Sequence, residues 1–143
     1  RKLLEPLKPH EKKFLFFPVN DNDRDKEGGT HWSLVVYSTP ENSFYSFDSV
    51  DNLNNSATMK IVQVLRSILN CNSSTYIKYP CVQQNNLYDC GIFVLCNVDN
   101  ITRTILQYEY ATVKHVSNLD RNCVLEKRKE ILQTIELLRE REI

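Results

Sequence analysis

Residues 31–48 read HWSLVVYSTPENSFYSFD and contain two apolar runs separated by a short polar stretch. The first run, residues 31–38, is rich in β-branched and aromatic side chains, which are favoured in strands. Residues 39–42 (TPEN) have the composition of a turn, and Ser43 to Phe47 forms the second run. We therefore predict two neighbouring antiparallel strands, joined as a hairpin, at the centre of the fold.

Further strands are predicted on both sides of this hairpin. The run FLFFPV at 14–19 is typical of a buried strand. Residues 75–82 are also strand-like, with Pro80 as a break or an edge position. Residues 20–29 (NDNDRDKEGG) have the composition of a mobile loop. The sheet is thus expected to be small and mostly antiparallel.

Helical spacing of apolar residues predicts three helices. One runs from an N-cap at Ser56 to about Leu69, and a second, largely buried helix runs from Cys90 to about Leu106. In the first, the apolar residues that recur at helical spacing are Met59, Val62, Leu65, Ile68 and Leu69. The third carries the stripe Val124, Leu125, Ile131, Leu132, Ile135 and Leu138. We expect this third helix to pack on the body, because about two heptads are too few to favour a coiled-coil partner. The fold class is α+β.

Length and charge set the broad class of the protein. The 143 residues suit a single domain over 1–143, and 18 basic residues balance 18 acidic ones. This balance argues against a nucleic-acid partner, and no apolar run is long enough to span a membrane. The charged start lacks the apolar core of a signal peptide.

The cysteines predict a reducing compartment. Their number is five, so internal disulfides cannot pair them all, and no C-x-x-C occurs. The three histidines show no ligand-like spacing with them, so we expect no metal site and no cofactor. We predict a monomer in the cytoplasm, the nucleus or both, with most cysteines buried as small apolar residues.

Cys90 is the candidate nucleophile. The triplet Asp89-Cys90-Gly91 stands where polar sequence becomes apolar and a helix is expected to begin. Unpaired N–H groups at a helix N-terminus favour a thiolate and can bind an oxyanion. The alternative is an inert buried cysteine, which is more common for such a residue taken alone.

His31 and Asp48 are the candidate base and its orienting carboxylate. A histidine side chain titrates near neutral pH and suits a general base. If the two central strands are antiparallel neighbours, the start of the first, at His31, lies beside the end of the second, at Asp48. Taken singly, His31 reads as a solvent-facing residue at a strand end, and Asp48 as a turn aspartate.

Gln84, six residues before Cys90, is the candidate second oxyanion donor. Its side-chain amide has two N–H donors that can point at the same site as the Cys90 N–H. Alone, it is also an ordinary loop glutamine. The set is more informative than its members, because all four residues fall at element boundaries that one cleft can bring together.

Three segments carry a resemblance to a known family. GGTHWSLVVY (28–37), FYSFDS (44–49) and QQNNLYDCGIFVLCN (83–97) resemble the sentrin-specific or Ulp-type cysteine proteases, which act on ubiquitin-like proteins. The family order His, Asp, Gln, Cys matches the four candidates. The first two segments are similar in particular to members that act on the modifier of cullins. The resemblance extends to about residue 106 and corresponds to the C-terminal two-thirds of the family's domain.

The resemblance implies a papain-like core and a peptidase that cuts after the Gly-Gly terminus of a ubiquitin-like modifier. His31, Asp48 and Cys90 would form the catalytic triad, and Gln84 would help to bind the oxyanion. The expected partners are the modifier and its conjugates, such as cullins. Deneddylation and precursor maturation are the expected reactions.

The resemblance also implies a set of substrate-binding residues. Trp32 would roof a narrow tunnel for the glycine pair, although the residue also suits a core anchor. The others belong to the loop expected to close over the modifier's tail: Asn20, Asp21, Gly28, Gly29 and Thr30.

Two other classes of function stay open. The chain could bind a ubiquitin-like protein without cutting it. It could also be a desumoylase, or an acyltransferase built on the same triad. An acyltransferase would need a basic pocket for coenzyme A phosphates, and no lysine-arginine cluster lies near the motifs.

Overall fold

A four-stranded sheet forms the centre of the protein. The computed structural model describes residues 4–22, 27–108 and 111–141, so the middle of the predicted loop at 20–29 lies outside the described residues. The strand order is β1-β2-β3-β4. The strands are β1 (Phe14–Asn20), β2 (Trp32–Ser38), β3 (Ser43–Phe47) and β4 (Thr75–Lys78).

The pairing confirms the predicted hairpin. β1 pairs with β2, and β2 with β3, in antiparallel fashion. β4 pairs with β3 in parallel at one edge of the sheet, which makes the sheet mixed. The predicted strand at 75–82 is too long, because β4 ends at Lys78, two residues before Pro80. Proline has no N–H to donate to a ladder.

Three α-helices surround the sheet: α1 (Asn55–Leu69), α2 (Cys90–Gln107) and α3 (Asn122–Arg141). Short 3-10 helices lie at Glu5–Leu7, Pro9–Glu11 and Val113–His115. The α+β class is thus confirmed. No helix within the described ranges is long and apolar enough to cross a membrane.

The sheet is buried on both faces because its central strands are apolar on both. On one face Val35 and Phe44 join the buried residues of α1, chiefly Val62 and Leu65. The opposite cluster joins the sheet to α2 through Leu34, Val36, Tyr45, Phe47, Val94 and Ile101. α2 therefore crosses the strand that begins directly after His31.

α1 differs in detail from its prediction. Its N-cap is Asn54 and not Ser56. The buried stripe is Thr58, Val62, Leu65 and Leu69. Met59 is exposed, because it lies one residue beyond this stripe. The helix ends where Asn70 takes a left-handed conformation.

α3 packs on the body only through its first half. Val124 is buried with Phe93 and Cys96 of α2, and Lys127 Nζ lies 2.5 Å from Asp99 Oδ2. Later stripe residues, including Leu132 and Ile135, are exposed. The predicted packing of the whole stripe is therefore wrong for the C-terminal half of α3.

Candidate active site

His31 and Asp48 are joined at the ends of the two central strands. His31 directly precedes β2, and Asp48 directly follows β3, as their antiparallel pairing requires. Asp48 Oδ1 lies 2.6 Å from His31 Nε2. The His31 side chain is only 2% exposed, so it is not the solvent-facing histidine of the simpler interpretation.

The loop after β3 holds the Asp48 carboxylate from the other side. The backbone N–H of Val50 donates to Oδ1 at 3.1 Å, and that of Asn54 donates to Oδ2 at 3.0 Å. Together with His31, the carboxylate has three hydrogen-bond partners. Its orientation is therefore fixed before any substrate arrives.

Asp21 fixes the backbone that leads into His31. Its Oδ1 accepts the N–H groups of Thr30 at 2.7 Å and His31 at 3.0 Å, and its Oδ2 accepts the Thr30 hydroxyl at 2.7 Å. Together these bonds hold the pKa of Asp21 below its usual value. The bond from the Thr30 hydroxyl has the largest effect on that pKa. Asn20 Nδ2 also donates to the His31 carbonyl.

Gly29 is required by the close approach of this segment. A Cβ at Gly29 would lie 2.0 Å from Asn20 Oδ1, and the residue has a φ of +87°. Both features exclude a larger side chain without a shift of the backbone. Gly28 directly precedes it on the exposed surface.

Gln84 is tied to the residue after Asp48. Its backbone N–H donates to the Ser49 carbonyl and its Oε1 accepts the Ser49 hydroxyl, both at 2.8 Å. Its Nε2 donates to the Asn86 carbonyl at 2.7 Å, which uses one of its two hydrogens. The other hydrogen has no partner among the residues that the structure describes, so it can be donated to a bound ligand.

Cys90 is the first residue of α2, as the sequence predicts. The side chain is buried at 6% exposure, and Asp89 occupies the N-cap position. The first N–H groups of a helix have no partner within that helix, so they point toward the end where the thiol lies. One turn later, Val94 lies in the same buried cluster as Leu34 of β2.

The thiol and the imidazole are not hydrogen-bonded to each other. Among the described residues, neither the Cys90 thiol nor His31 Nδ1 makes a hydrogen bond. Because Nε2 faces Asp48, Nδ1 is the nitrogen left for a proton exchange with sulfur. Catalytic contacts are often long in a free enzyme and shorten when substrate binds.

α3 supports the segment that carries Cys90. Arg128 forms an ion pair with Asp89 Oδ1, and its guanidinium lies 5.5 Å from the centre of the Tyr88 ring. Asp89 Oδ2 accepts from Asn86 Nδ2 at 2.7 Å. Burial alone would raise the pKa of Asp89, but these two hydrogen bonds outweigh it and leave that pKa lowered.

Trp32 lies beside the base rather than in the core. It is the first residue of β2 and is 45% exposed, so the core-anchor interpretation is wrong. The other residues predicted to bind substrate lie in the neighbouring segment. There Asn20, Asp21 and Thr30 hydrogen-bond within the segment that leads to His31.

Two of the other cysteines have thiols that are poorly suited to nucleophilic attack. All five thiols are free. Burial raises the pKa of Cys81 to about 11 and that of Cys96 to about 12. Such thiols are poor nucleophiles at neutral pH.

Sequence reasoning missed the residues that hold the candidates in place. Ser49 and Arg128 bond candidate residues, or their neighbours, that are distant in the chain, and Asn54 bonds Asp48 from six residues away. Ser49 and Asn54 lie in DSVDNLNN (48–55), whose composition indicates only a turn. The one feature of the sequence that could have indicated such a role is the polar Ser49 directly after Asp48.

The chain is similar to a known protein family and to several known proteins. A family model described as the Ulp1 protease family, C-terminal catalytic domain, matches residues 5–135. Sentrin-specific protease 8 of Mus musculus is 33% identical over 106 residues, which are 73% of this chain and 48% of the relative. NEDD8-specific protease 1 of Arabidopsis thaliana is 35% identical over 95 residues, which are 64% of this chain and 42% of the relative.

A solved structure has the same fold. It is the C-terminal Ulp1 protease domain in complex with Smt3, the yeast ortholog of SUMO, with a TM-score of 0.60 and 22% identity. The likeness covers 90% of this chain and 55% of that one. The chain thus spans about half the length of the relatives it matches. The family match takes in every candidate residue named above, and the chain belongs to the Ulp1 protease family.

Proposed function

We propose that this chain is a cysteine peptidase that cleaves after the C-terminal Gly-Gly of a ubiquitin-like modifier. The observation that carries the proposal is the buried bond between His31 Nε2 and Asp48 Oδ1, at 2.6 Å. It fixes the imidazole with its other nitrogen unpaired among the described residues. A buried imidazole bound to a carboxylate in this way is the arrangement of an oriented general base.

The first step uses the thiol and the imidazole. His31 Nδ1 accepts the proton of Cys90, and the thiolate attacks the carbonyl carbon of the modifier's last glycine. Asp48 stabilises the imidazolium and keeps the Nε2 proton in place. A tetrahedral intermediate results, with a negative charge on the former carbonyl oxygen.

Two donors are available for that charge. One is the backbone N–H of Cys90 at the start of α2, and the other is the unused hydrogen of Gln84 Nε2. His31 then protonates the leaving amine as the C–N bond breaks, which leaves a thioester. Water, deprotonated by the same imidazole, hydrolyses the thioester and releases the modifier.

The exposed apolar side chains near the site support a protein substrate. Trp32 is exposed next to His31, and Leu87 and Tyr88 are exposed just before Cys90. Exposed side chains of this kind are frequent in protein-binding surfaces. A roof formed by Trp32 would exclude side chains larger than glycine from the tail channel.

We propose further that the modifier is the one attached to cullins. Two relatives above 30% identity carry the names sentrin-specific protease 8 and NEDD8-specific protease 1. The structure in complex with Smt3, at 22% identity, supports the fold and not the choice of modifier. Removal from cullins and maturation of the precursor are both compatible with the same chemistry.

The test is covalent labelling by modifiers that carry a C-terminal electrophile. NEDD8, SUMO and ubiquitin probes would be incubated with the chain, and adducts would be read by intact mass. We expect one adduct, with the NEDD8 probe, which Cys90→Ala abolishes. The matched control is Cys123→Ser, which removes a half-buried thiol of α3 and should label like the wild type.

The other outcomes separate the alternatives. An adduct with SUMO or ubiquitin instead would keep the peptidase and reject the choice of modifier. A folded chain that binds a modifier but is never labelled would reject the peptidase in favour of a binding module.

A further inference from the structure

Asn54 joins three parts of the candidate site and has no role in the chemistry proposed above. It is only 1% exposed and precedes α1 at the N-cap position. Asparagine at this position usually caps its helix by accepting a backbone N–H with its side chain. Here no such side-chain cap bond forms, so the side chain is used elsewhere.

The Asn54 side chain donates hydrogen bonds to β1 and β2, the strands that lie before and after His31 in the chain. Its Nδ2 donates to the Val19 carbonyl of β1 at 3.0 Å and to the Ser33 hydroxyl of β2 at 2.9 Å. Val19 and Ser33 are paired residues in the sheet, and Ser33 lies two residues after His31. The amide therefore fixes Asn54 to β2, the strand that begins directly after His31.

The Asn54 backbone donates a hydrogen bond to the Asp48 carboxylate. Its N–H donates to Asp48 Oδ2 at 3.0 Å, whereas His31 and Val50 share Oδ1. One residue thus links the carboxylate directly to β2, which begins directly after His31. No other described residue bonds both β2 through its side chain and Asp48 through its backbone.

The arrangement costs stability at this position. Asn54 Oδ1 is buried and accepts no hydrogen bond from the described residues. The first turn of α1 also loses the side-chain acceptor that an N-cap asparagine normally supplies. A buried polar atom left without a partner calls for an explanation, and a functional site is one of the recognised ones.

We propose that Asn54 is a positioning residue for the triad. By holding Asp48 against β2, it keeps the Nε2 proton of His31 on the side of the carboxylate and leaves Nδ1 for Cys90. This inference rests on the proposed peptidase function for its effect on turnover, but the geometry of the His31–Asp48 pair does not depend on it.

The variant Asn54→Ala tests the proposal. It keeps the backbone N–H that reaches Asp48 and removes the side chain that fixes where this N–H lies. With a NEDD8 fluorogenic substrate, we expect kcat to fall about 10- to 100-fold with KM within about twofold, because misplacement of a catalytic group acts on the chemical step. Ser33→Ala, which removes one acceptor, should give a smaller loss of the same kind.

Thr58→Val is the matched control. Thr58 is buried in the first turn of the same helix, and its hydroxyl has no partner among the described residues. Valine replaces it with similar volume, so kcat should not change. Equal losses in Thr58→Val and Asn54→Ala would show that any disturbance of α1 lowers activity, and would overturn the proposal.

A second measurement needs no substrate. The chain has three histidines, so a spectrum of the 15N-histidine-labelled protein is simple to assign. We expect a low-field ring proton from His31 Nε2 that is lost in Asn54→Ala and kept in Thr58→Val. An unchanged proton in folded Asn54→Ala would overturn the role of Asn54, even if wild type cleaves nothing and the peptidase proposal fails.

If Asn54→Ala does not fold, the proposal is tested with Ser33→Ala, by measuring kcat and the His31 ring proton in that variant. A weakened ring proton in folded Ser33→Ala, with a lower kcat, would support the proposal. An unchanged ring proton and kcat in that variant would reject it.

Discussion

The two halves of the candidate site are held by different forces. The strand half, His31 with Asp48, is buried at the ends of β2 and β3 and is held by hydrogen bonds from the sheet and the loop after it. In the helix half, residues 83–88 are exposed or half-buried, and the buried Asp89 that precedes Cys90 is paired with Arg128 of α3. The acid–base pair is thus preformed, while the support of the nucleophile can be weakened from the surface.

Asp48→Ala should give the largest loss, because it removes the orienting group of the strand half. We expect kcat to fall roughly 10³- to 10⁴-fold. Stability should fall as well, since the N–H groups of Val50 and Asn54 lose their acceptor. Steady-state kinetics and thermal unfolding measure the two effects.

Asp51→Ala controls for loss of a carboxylate in the same loop, because Asp51 is exposed. It should leave both quantities nearly unchanged. If Asp48→Ala retained kcat, the strand half would be structural only.

Gln84→Ala should give the next largest loss, in the helix half. Removing one oxyanion donor lowers kcat by about 10²- to 10³-fold. KM should change little, because the donor acts on charge that develops during the reaction. Asn85→Ala, an exposed neighbour, is the control. A change confined to KM would assign Gln84 to substrate binding instead.

Arg128→Ala should have a moderate effect that distinguishes the halves. The ion pair with Asp89 is partly exposed, so we expect a loss of about 0.5–1 kcal/mol in the free energy of unfolding. Labelling of Cys90 should slow, while the His31 ring proton should stay. Lys129→Ala, on the exposed side of α3, serves as the control.

High salt should reproduce part of the Arg128→Ala effect on the wild type, because salt screens exposed ion pairs. Loss of the His31 ring proton in Arg128→Ala would mean that the halves are coupled, contrary to the comparison above.

The smallest expected effect is the loss of the contribution of Asp89, in the helix half, to folding stability in acid. The pKa of Asp89 in the folded chain is below its ordinary value of 3.8, so its contribution to stability is full above that value. The contribution is lost as the pH falls from 3.8 through the lowered pKa. Urea unfolding at pH 5 and pH 3 should show a smaller decrease for Asp89→Asn than for wild type.

Local sequence patterns predicted the central fold because its elements carry strong signals. The β-branched run of β2 and the polar-to-apolar change at Cys90 are visible in short windows of sequence. The proximity of His31 and Asp48 also followed, since antiparallel neighbours bring those strand ends together. The family resemblance added the chemical roles.

What could not be predicted depends on contacts between distant segments. The parallel pairing of β4 with β3 is a choice among topologies that apolar runs do not distinguish. The stripe of α3 looks uniform in sequence, yet only Val124 in its first turn is buried. Val124 packs against Phe93 and Cys96 of α2, and the periodicity of α3 does not encode which of its turns meets α2.

The spacing of the site along the chain has a consequence for folding kinetics. Its bonds join residues 17 positions apart for His31 and Asp48, 35 apart for Ser49 and Gln84, and 39 apart for Asp89 and Arg128. Long-range closures of this kind form late, because the entropy of the loop is lost before the contact is gained. Reactivity of Cys90 toward a modifier probe, followed during refolding, would therefore measure completion of the native topology rather than the appearance of helices.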